Sequence, residues 1–252
     1  MSPPVFDFHA RLVPRPGAAA ALLSTMDSAG VRRAVLSAGG VVTLERLSAQ
    51  ILDGGHSEAE PDNGAVLAAC AGSGGRLLPC YFASPYADPH SYRAQVSRYR
   101  GLELSPAVHG VGLDDPRTGA LVAIAAQARH PVYVVCLGRA GARTADLVRL
   151  ARRFPDTTFV SGHCGAIGID ASGIGQIAAV PNIVAETSGC FTAIARLALH
   201  RLGPDRVLFG TEYPLQHPSV ELAKYAALDL PAPVWRQVAW HNAHRLLGEE
   251  PR

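Results

Sequence analysis

Four side chains that can do chemistry stand at the ends of apolar runs lying far apart in the chain. His9 and Arg11 follow the first run. His163 follows a run past the middle of the chain, and Glu212 follows one near its end. An imidazole can transfer protons near neutral pH, a carboxylate can take a proton or bind a metal, and a guanidinium can hold an anionic oxygen. If the fold brings them together, these residue types predict acid–base chemistry on an anion.

Each apolar run is typical of a buried strand, and stretches rich in Ala, Leu and Arg with helical spacing lie between the runs, such as residues 119–129 and 143–154. Regular alternation of strand and helix predicts an α/β fold, and about eight such units close a single (β/α)8 TIM barrel. In that fold the carboxyl ends of all the strands meet on one face. The strands are predicted at residues 5–9, 33–37, 77–83, 101–105, 132–136, 158–162, 183–187 and 207–210.

The size and composition fit one domain of this kind. The 252 residues, 48% of them hydrophobic, match the usual length of a single TIM barrel, and no linker or repeat divides residues 1–252. Residues 39–63, which include Gly54 and Gly55, are predicted to form a long loop or lid after the second strand.

Composition also argues against several classes of partner. A net charge of +2 is too balanced to indicate nucleic acid or an anionic membrane as partner. No apolar run approaches the length of a membrane-spanning helix, and no basic-then-apolar leader precedes the first strand. The five Cys show no zinc-type or paired spacing, which predicts reduced thiols and a cytoplasmic protein. Association into a homo-oligomer is compatible with this composition.

Several segments, taken in order, form a recognisable pattern: VFDFHAR at 5–11, GLELSP at 101–106, SGH at 161–163, VLFGTEYP at 207–214 and NAHRLL at 242–247. They resemble the amidohydrolase-related family, whose motifs are Asp-x-His-x-His on the first strand, Gly-His on the sixth and Gly-Thr-Asp-x-Pro on the eighth. That family comprises TIM-barrel hydrolases and decarboxylases, including the aminocarboxymuconate semialdehyde decarboxylase group. The resemblance runs the whole length of the chain and implies a hydrolase or carbon–carbon lyase.

The resemblance also implies a set of metal ligands that this chain keeps only in part. In the family, two His of the first strand, a His of the fifth and an Asp of the eighth hold a divalent metal, while the sixth-strand His acts as a base. His9 and His163 are retained here. Arg11 replaces the second His, Val135 the fifth-strand His, and Glu212 the Asp. The complete ligand set of the family is therefore absent from the sequence.

Two alternatives for a metal follow from these replacements. Arg11 lies two residues after His9 and shares its face of the strand, where a permanent guanidinium repels a dication. This favours an enzyme without a cofactor. Two His and a carboxylate are nevertheless a known zinc set, so zinc held by His9, His163 and Glu212 is the alternative. Glu103 stands where the family has a strand-four Lys, which excludes a bridging-metal arrangement on a carbamylated Lys.

Without a metal, each side chain is expected to have a separate task. Arg11 anchors an anionic oxygen, and His163 transfers a proton with His9 as donor. Glu212 positions or polarises the substrate. A small, anionic, carbonyl-bearing substrate fits these tasks, in ester or lactone hydrolysis, decarboxylation, or cyclisation and isomerisation. Substrate contacts are also predicted for Asp7, Glu103, His109, Glu186 and His56.

Three functional hypotheses from different classes therefore stand beside one another. The first is the metal-independent hydrolase or lyase. The second is a metal-dependent hydrolase or decarboxylase with an unusual ligand set. The third is a non-catalytic barrel that binds a ligand or a partner.

Overall fold

The strands form a parallel barrel in the computed structural model, which describes residues 4–249. They are β1 (Val5–Leu12), β2 (Val31–Ala38), β3 (Leu77–Pro79), β4 (Tyr81–Phe82), β5 (Leu102–Leu104), β6 (Val132–Val134), β7 (Phe159–Ser161), β8 (Ile183–Glu186) and β9 (Val207–Leu208). They pair in sequence order in two runs, β1 to β3 and β4 to β9. Cys80 N donates to Leu36 O (2.9 Å) where the runs meet, and Phe8 N donates to Phe209 O (2.9 Å) where the last strand returns to the first. The predicted TIM barrel is confirmed.

Helices cover the outside of the barrel. They are α1 (Ala18–Ala29), α2 (Leu44–Leu52), α3 (Asn63–Ala71), α4 (Pro89–Arg93), α5 (Pro106–His109), α6 (Pro116–Ala128), α7 (Thr144–Arg153), α8 (Ala171–Ala178), α9 (Thr192–Leu202), α10 (Pro218–Leu228), α11 (Ala232–Arg236) and α12 (Asn242–Leu246). The predicted helices at residues 119–129 and 143–154 correspond to α6 and α7. The predicted strand at 77–83 is divided into β3 and β4 at Cys80. Between residues 4 and 249, no helix has both the length and the apolar character needed to cross a membrane.

Apolar side chains lie in two layers because successive residues of a strand point to opposite faces. On β6, Val132 and Val134 pack outward against the helices, while Tyr133 points into the barrel. The inner layer also contains Phe6, Phe8, Val35, Val160, Val184 and Leu208. Filling the barrel in this way leaves the strand ends, rather than its centre, free to carry polar groups.

A β-bulge lies in β1 directly before the polar residues at its end. Asp7 pairs with Ala34, but Ala10 pairs with Leu36, so three steps along β1 match two along β2. A bulge bends a strand and re-aims its side chains, and bulges occur often beside active sites. His9 lies within this bulge and enters the mouth of the barrel.

The C-terminal part of the chain is fastened to the last strand by Asn242, which is fully buried. Its Nδ2 donates to Pro204 O (2.7 Å) and Val207 O (2.8 Å), and its Oδ1 accepts from Gln237 Nε2 (2.8 Å). These bonds satisfy the buried carbonyl of Val207 on β9 and the partly buried carbonyl of Pro204 before it.

Replacing Asn242 by Leu, which has a similar volume, should lower the free energy of unfolding by about 1–3 kcal/mol, because the buried carbonyl of Val207 and the partly buried carbonyl of Pro204 lose their donor. Chemical denaturation followed by circular dichroism measures this. The control is Gln176→Leu, at an exposed position whose side chain bonds only to Ser172, and it should change stability by less than about 0.5 kcal/mol. Equal stabilities of the two variants would contradict the assignment.

Candidate active site

Two buried carboxylates and two cationic side chains meet at the carboxyl ends of the strands. Arg11 Nη2 lies 2.8 Å from Glu103 Oε1, and Arg11 Nε donates to Glu212 Oε1 at 2.5 Å. His9 Nε2 lies 3.3 Å from Glu103 Oε2, and His9 Nδ1 is in direct contact with Glu212 Oε2. Each carboxylate therefore contacts both cations. We call His9, Arg11, Glu103 and Glu212 the ionic cluster.

Burial makes this pairing necessary, since an unpaired charge in the interior is strongly unfavourable. Burial raises the pKa of Glu103, but Arg11 and His9 outweigh it and bring that pKa to about 2. Arg11 and His9 likewise hold the pKa of Glu212 well below its ordinary value against the effect of burial. Burial lowers the pKa of His9, yet Glu212 and Glu103 raise it to about 10. Without a metal, the ionic cluster at neutral pH carries two positive and two negative charges.

The cluster already uses most of the hydrogen-bonding capacity of its cations. Arg11 Nη1 donates to Ala38 O (3.3 Å) in addition to its two carboxylate contacts, so two of its five N–H bonds remain for a ligand. Both ring nitrogens of His9 face carboxylates. The predicted anchoring by Arg11 therefore rests on two N–H bonds. The geometry does not support direct proton donation from His9 to a substrate.

His163 stands beside the ionic cluster, with Nε2 3.9 Å from Glu212 Oε2. Its Nδ1 lies 3.1 Å from Ser188 O and 3.0 Å from Ser188 Oγ. The carbonyl can only accept, and Ser188 Oγ gives its own proton to Glu186 Oε2 (2.8 Å), so His163 Nδ1 carries the hydrogen. Nε2 is the nitrogen that faces Glu212.

Glu186, predicted as a substrate contact, is instead a fully buried acceptor that holds the site in place. Its Oε2 accepts from Tyr133 OH (2.7 Å), from Ser188 Oγ and from His163 N (3.3 Å), while its Oε1 accepts from Ser188 N (2.5 Å). The Tyr133 ring stacks on His9, with centroids 3.9 Å apart. Glu186 and Tyr133 therefore connect the two imidazoles.

Sequence reasoning missed Tyr133 and Ser188. Tyr133 could have been found, because it lies two residues before Val135 on a predicted strand and so shares the face of a position already mapped to the site. Ser188 follows the predicted strand at 183–187, and no pattern in the sequence marks it.

At two positions of the family-like motifs, only glycine fits beside the site residues. A Cβ on Gly162, the residue before His163, would lie 2.5 Å from the ring of Tyr133. A Cβ on Gly210 would overlap the carboxylate of Glu186. The absence of a side chain at these two glycines leaves the space that Tyr133 and Glu186 occupy between the strand ends.

Asp7 holds the first strand to the loop after the last one. Its carboxylate accepts from His9 N (3.0 Å), Thr211 N (2.9 Å) and Thr211 Oγ1 (2.5 Å). Burial raises the pKa of Asp7 to about 7, although the bonds from Thr211 and His9 oppose that change. Asp7 is 1% exposed and does not line the pocket, so its predicted substrate contact is replaced by a positioning role.

The backbone at two site residues is in an uncommon conformation. His163 has φ 57° and Glu212 has φ 57°, in the left-handed region that non-glycine residues rarely adopt. His163 lies in the turn after β7 and Glu212 in the loop after β9, where Glu212 N donates to His9 O (2.8 Å). Such conformations persist only where the surrounding contacts enforce them, and they are frequent at functional sites.

A pocket of about 600 Å³ opens above these groups, with Arg11, His163 and Glu212 among its lining residues. Val135, which follows β6, also lines the pocket. This agrees with its mapping to the fifth-strand His of the family. The predicted loop or lid at residues 39–63 contains α2, which supplies one wall.

His56 and His109 lie outside this pocket, so the structure does not support their predicted substrate contacts. The His56 side chain is 57% exposed and lies 3.8 Å from Glu58. His109 is buried, and its Nε2 lies 3.3 Å from Ala59 O. Burial lowers the pKa of His109 and so favours its neutral ring. The ring is a structural contact beneath residues 53–62, beside Ala59.

The sequence matches the profile of the family described as Amidohydrolase over residues 6–248. The chain belongs to the amidohydrolase family. The predicted family is thereby confirmed, and membership agrees with the predicted enzyme class of hydrolase or carbon–carbon lyase. No curated protein matches the sequence.

Solved structures share the fold at low sequence identity. An uncharacterised TIM-barrel protein from Bordetella bronchiseptica has a TM-score of 0.73 at 21% identity, covering 97% of this chain and 98% of the other. A 5-carboxyvanillate decarboxylase from Novosphingobium aromaticivorans, solved with manganese and 3-methoxy-4-hydroxy-5-nitrobenzoic acid, has a TM-score of 0.71 at 14% identity and coverages of 98% and 97%. A probable 2-pyrone-4,6-dicarboxylic acid hydrolase from Acinetobacter baumannii, solved with citric acid, has a TM-score of 0.69 at 14% identity and coverages of 97% and 99%.

The residues at the site fit a divalent metal. Ligand atoms of His9, His163 and Glu212 lie within 4.8 Å of one another. Of these groups, His9 Nδ1 and Glu212 Oε2 are buried and, within residues 4–249, make no hydrogen bond of normal geometry. Two imidazoles and a carboxylate are a known catalytic metal set. The prediction that no cofactor is used is therefore not supported by the donor geometry, and the alternative ligand set from the sequence is assembled.

The charge on His9 should be visible in the pH dependence of stability. In the metal-free protein with a chelator present, protonated His9 stabilises the fold fully below about pH 6.5, the ordinary pKa of the unfolded residue. This contribution should be lost as the pH rises through about 10, the pKa of folded His9. The difference in free energy of unfolding between the wild type and His9→Gln should therefore narrow across this window, by an amount on the order of several kcal/mol.

Urea denaturation of the two proteins at several pH values measures this difference. The control is His90→Gln, at an exposed position, which should follow the wild type. Parallel curves for the wild type and His9→Gln would show that His9 is not held protonated by the cluster.

Proposed function

We propose that this chain is a hydrolase that opens an ester or lactone bond in a small, carbonyl-bearing anion. The observation that carries the proposal is the orientation of His163, whose Nδ1 bonds to Ser188 and whose Nε2 faces Glu212 at the pocket floor. A base held in one tautomer beside a pocket is the arrangement that proton transfer requires. Family membership supports the reaction class.

His163 acts first as a base and then as an acid. Its Nε2 takes a proton from water as the water oxygen bonds to the substrate carbonyl carbon. The same nitrogen returns that proton to the alcohol oxygen as its bond to that carbon breaks, so acid and alcohol form and His163 ends unchanged. Glu186 and Ser188 keep Nδ1 protonated and the ring in place through both steps.

Arg11 stabilises the negative charge that develops on the substrate. Its two remaining N–H bonds can donate to a carboxylate or to the carbonyl oxygen as it becomes an oxyanion. Glu103 and Glu212 fix the guanidinium, so little rearrangement is needed when that charge appears. His9 acts on Glu212 rather than on the substrate.

A divalent metal would be held by His9, His163 and Glu212. A 5-carboxyvanillate decarboxylase that shares the fold was solved with manganese, which supports a divalent metal in this chain as well. When bound, it would polarise a carbonyl oxygen and lower the pKa of water. A bound metal would occupy Nε2 of His163. That atom can therefore act as a base only when no metal is bound, and as a ligand when one is.

Decarboxylation is the second candidate function. The observation in its favour is that several solved structures that share the fold are decarboxylases, acting on 5-carboxyvanillate or 2,6-dihydroxybenzoate. The two reactions release different products, carbon dioxide in one case and an alcohol with a new acid in the other. A panel of carboxylate-bearing aryl esters, lactones and hydroxybenzoic acids separates them.

On the best substrate of this panel, His163→Asn should lower kcat by roughly 10² to 10⁴, because the group that moves the proton is lost. Circular dichroism should show an unchanged fold. The control is His200→Asn, an exposed position on α9, which should retain full activity. A His163→Asn enzyme with wild-type kcat would place the chemistry elsewhere.

Metal affinity should depend steeply on pH, because His9 must lose its proton before Nδ1 can bind a metal. Calorimetric titration with Mn²⁺ or Zn²⁺ should show affinity rising about tenfold per pH unit between pH 7 and 9, with one proton released per metal. An affinity independent of pH would show that His9 is not a ligand.

The matched variant is Arg11→His with Val135→His and Glu212→Asp, which restores the family's ligand set. It should bind the metal far more tightly than the wild type at pH 7, since two further ligands replace a guanidinium. Equal affinities of the two proteins at that pH would mean that Arg11 does not oppose the metal.

A further inference from the structure

The pocket is divided into a polar floor and an apolar upper wall. Arg11, His163 and Glu212 supply the charged groups of its lining, and all three lie at the strand ends. Most of the remaining lining residues are aliphatic. A volume of about 600 Å³ lies in the range that holds ligands of drug size, larger than a single substituted ring.

One face of α2 forms much of the upper wall. Leu44, Leu47 and Ile51 stand three and four residues apart, so they share a face of the helix, and all three line the pocket. Leu44 is 60% exposed, and the other two are partly buried. An aliphatic helix face directed into an open pocket gains free energy when an apolar ligand covers it.

The helix is held in that orientation by hydrogen bonds along the side next to its aliphatic face. Gln50, the buried residue of α2, donates through Nε2 to Ala107 O (3.0 Å) and Val108 O (2.8 Å). Arg139 Nη1 donates to Gln50 O (3.0 Å). These bonds fix the rotation of the helix, so its aliphatic face is a formed part of the pocket rather than a chance exposure.

Two large aliphatic side chains also line the pocket from other loops. Ile167, in the loop after β7, is 66% exposed, and Leu215, in the loop after β9, is 54% exposed. Together with the aliphatic face of α2, they place apolar side chains around the opening of the pocket. A continuous apolar surface thus runs from the charged floor to solvent.

We infer that the substrate is an amphiphilic carboxylate, in which a carboxyl-bearing head reacts at the floor and a hydrocarbon body extends along α2 to the opening. The identity of the head rests on the proposed function. The hydrocarbon body rests on the wall formed by Leu44, Leu47, Ile51, Ile167 and Leu215. Leu47 and Ile51 determine specificity for that body.

Calorimetric binding of butanoate, hexanoate, octanoate and decanoate, below micelle-forming concentrations, tests the inference without requiring turnover. Affinity should rise about fourfold per methylene group until the body reaches the opening, as expected for burial of each CH₂. Leu47→Ser should weaken octanoate binding about tenfold and leave butanoate unchanged. The matched control is Leu52→Ser on the same helix, at a 76% exposed residue outside the pocket lining, which should bind both acids like the wild type.

The outcomes separate the inference from the proposed function. Affinity that does not change with chain length, or a Leu47→Ser protein that matches Leu52→Ser, overturns the hydrocarbon body and leaves the proposed function intact. If octan-1-ol binds as tightly as octanoate while chain length still matters, the apolar wall is supported and the anionic head is wrong. Absence of binding by every acid and alcohol in the series overturns both.

Discussion

The site depends on the pairing of two carboxylates with two cations whose side chains are largely buried. Glu103 lies on β5 and Glu212 lies in the loop after β9, and each contacts both His9 and Arg11. Removing one partner of a buried ion pair typically costs 3–5 kcal/mol, because the other charge is left uncompensated. The cluster therefore fixes the relative positions of the carboxyl ends of β1, β5 and β9, and with them the floor of the pocket.

Further hydrogen bonds connect this cluster to His163. Glu186 accepts from Tyr133, Ser188 and the backbone of His163, and Tyr133 stacks on His9. One carboxylate thus fixes the rings of both imidazoles. The two rings differ in their partners, because both nitrogens of His9 face carboxylates whereas Nδ1 of His163 faces Ser188.

Arg11 gives this family member its distinct electrostatics. A guanidinium bonded to Glu212 Oε1 occupies one oxygen of a carboxylate in the candidate metal-binding set, and it stays protonated at every ordinary pH. In the metal-free cluster its charge is balanced by Glu103 and Glu212. We propose that a metal bound at Nδ1 of His9 would have to displace the proton that His9 carries there.

The sequence by itself determined the barrel, because strand and helix periodicities alternate along the whole chain, and it located His9, Arg11, His163 and Glu212 because they follow those strands. It also paired Arg11 with His9, since alternate residues of a strand share a face. Only the tertiary structure decided which residues complete the site and which do not. Ser188, after β8, contacts His163, whose backbone is left-handed. His56 is exposed beside Glu58 and His109 is buried against Ala59, so both lie outside the pocket. Contacts between distant strands, rather than local propensity, set the charges of the cluster, because a pKa depends on neighbours that adjacency in sequence does not reveal.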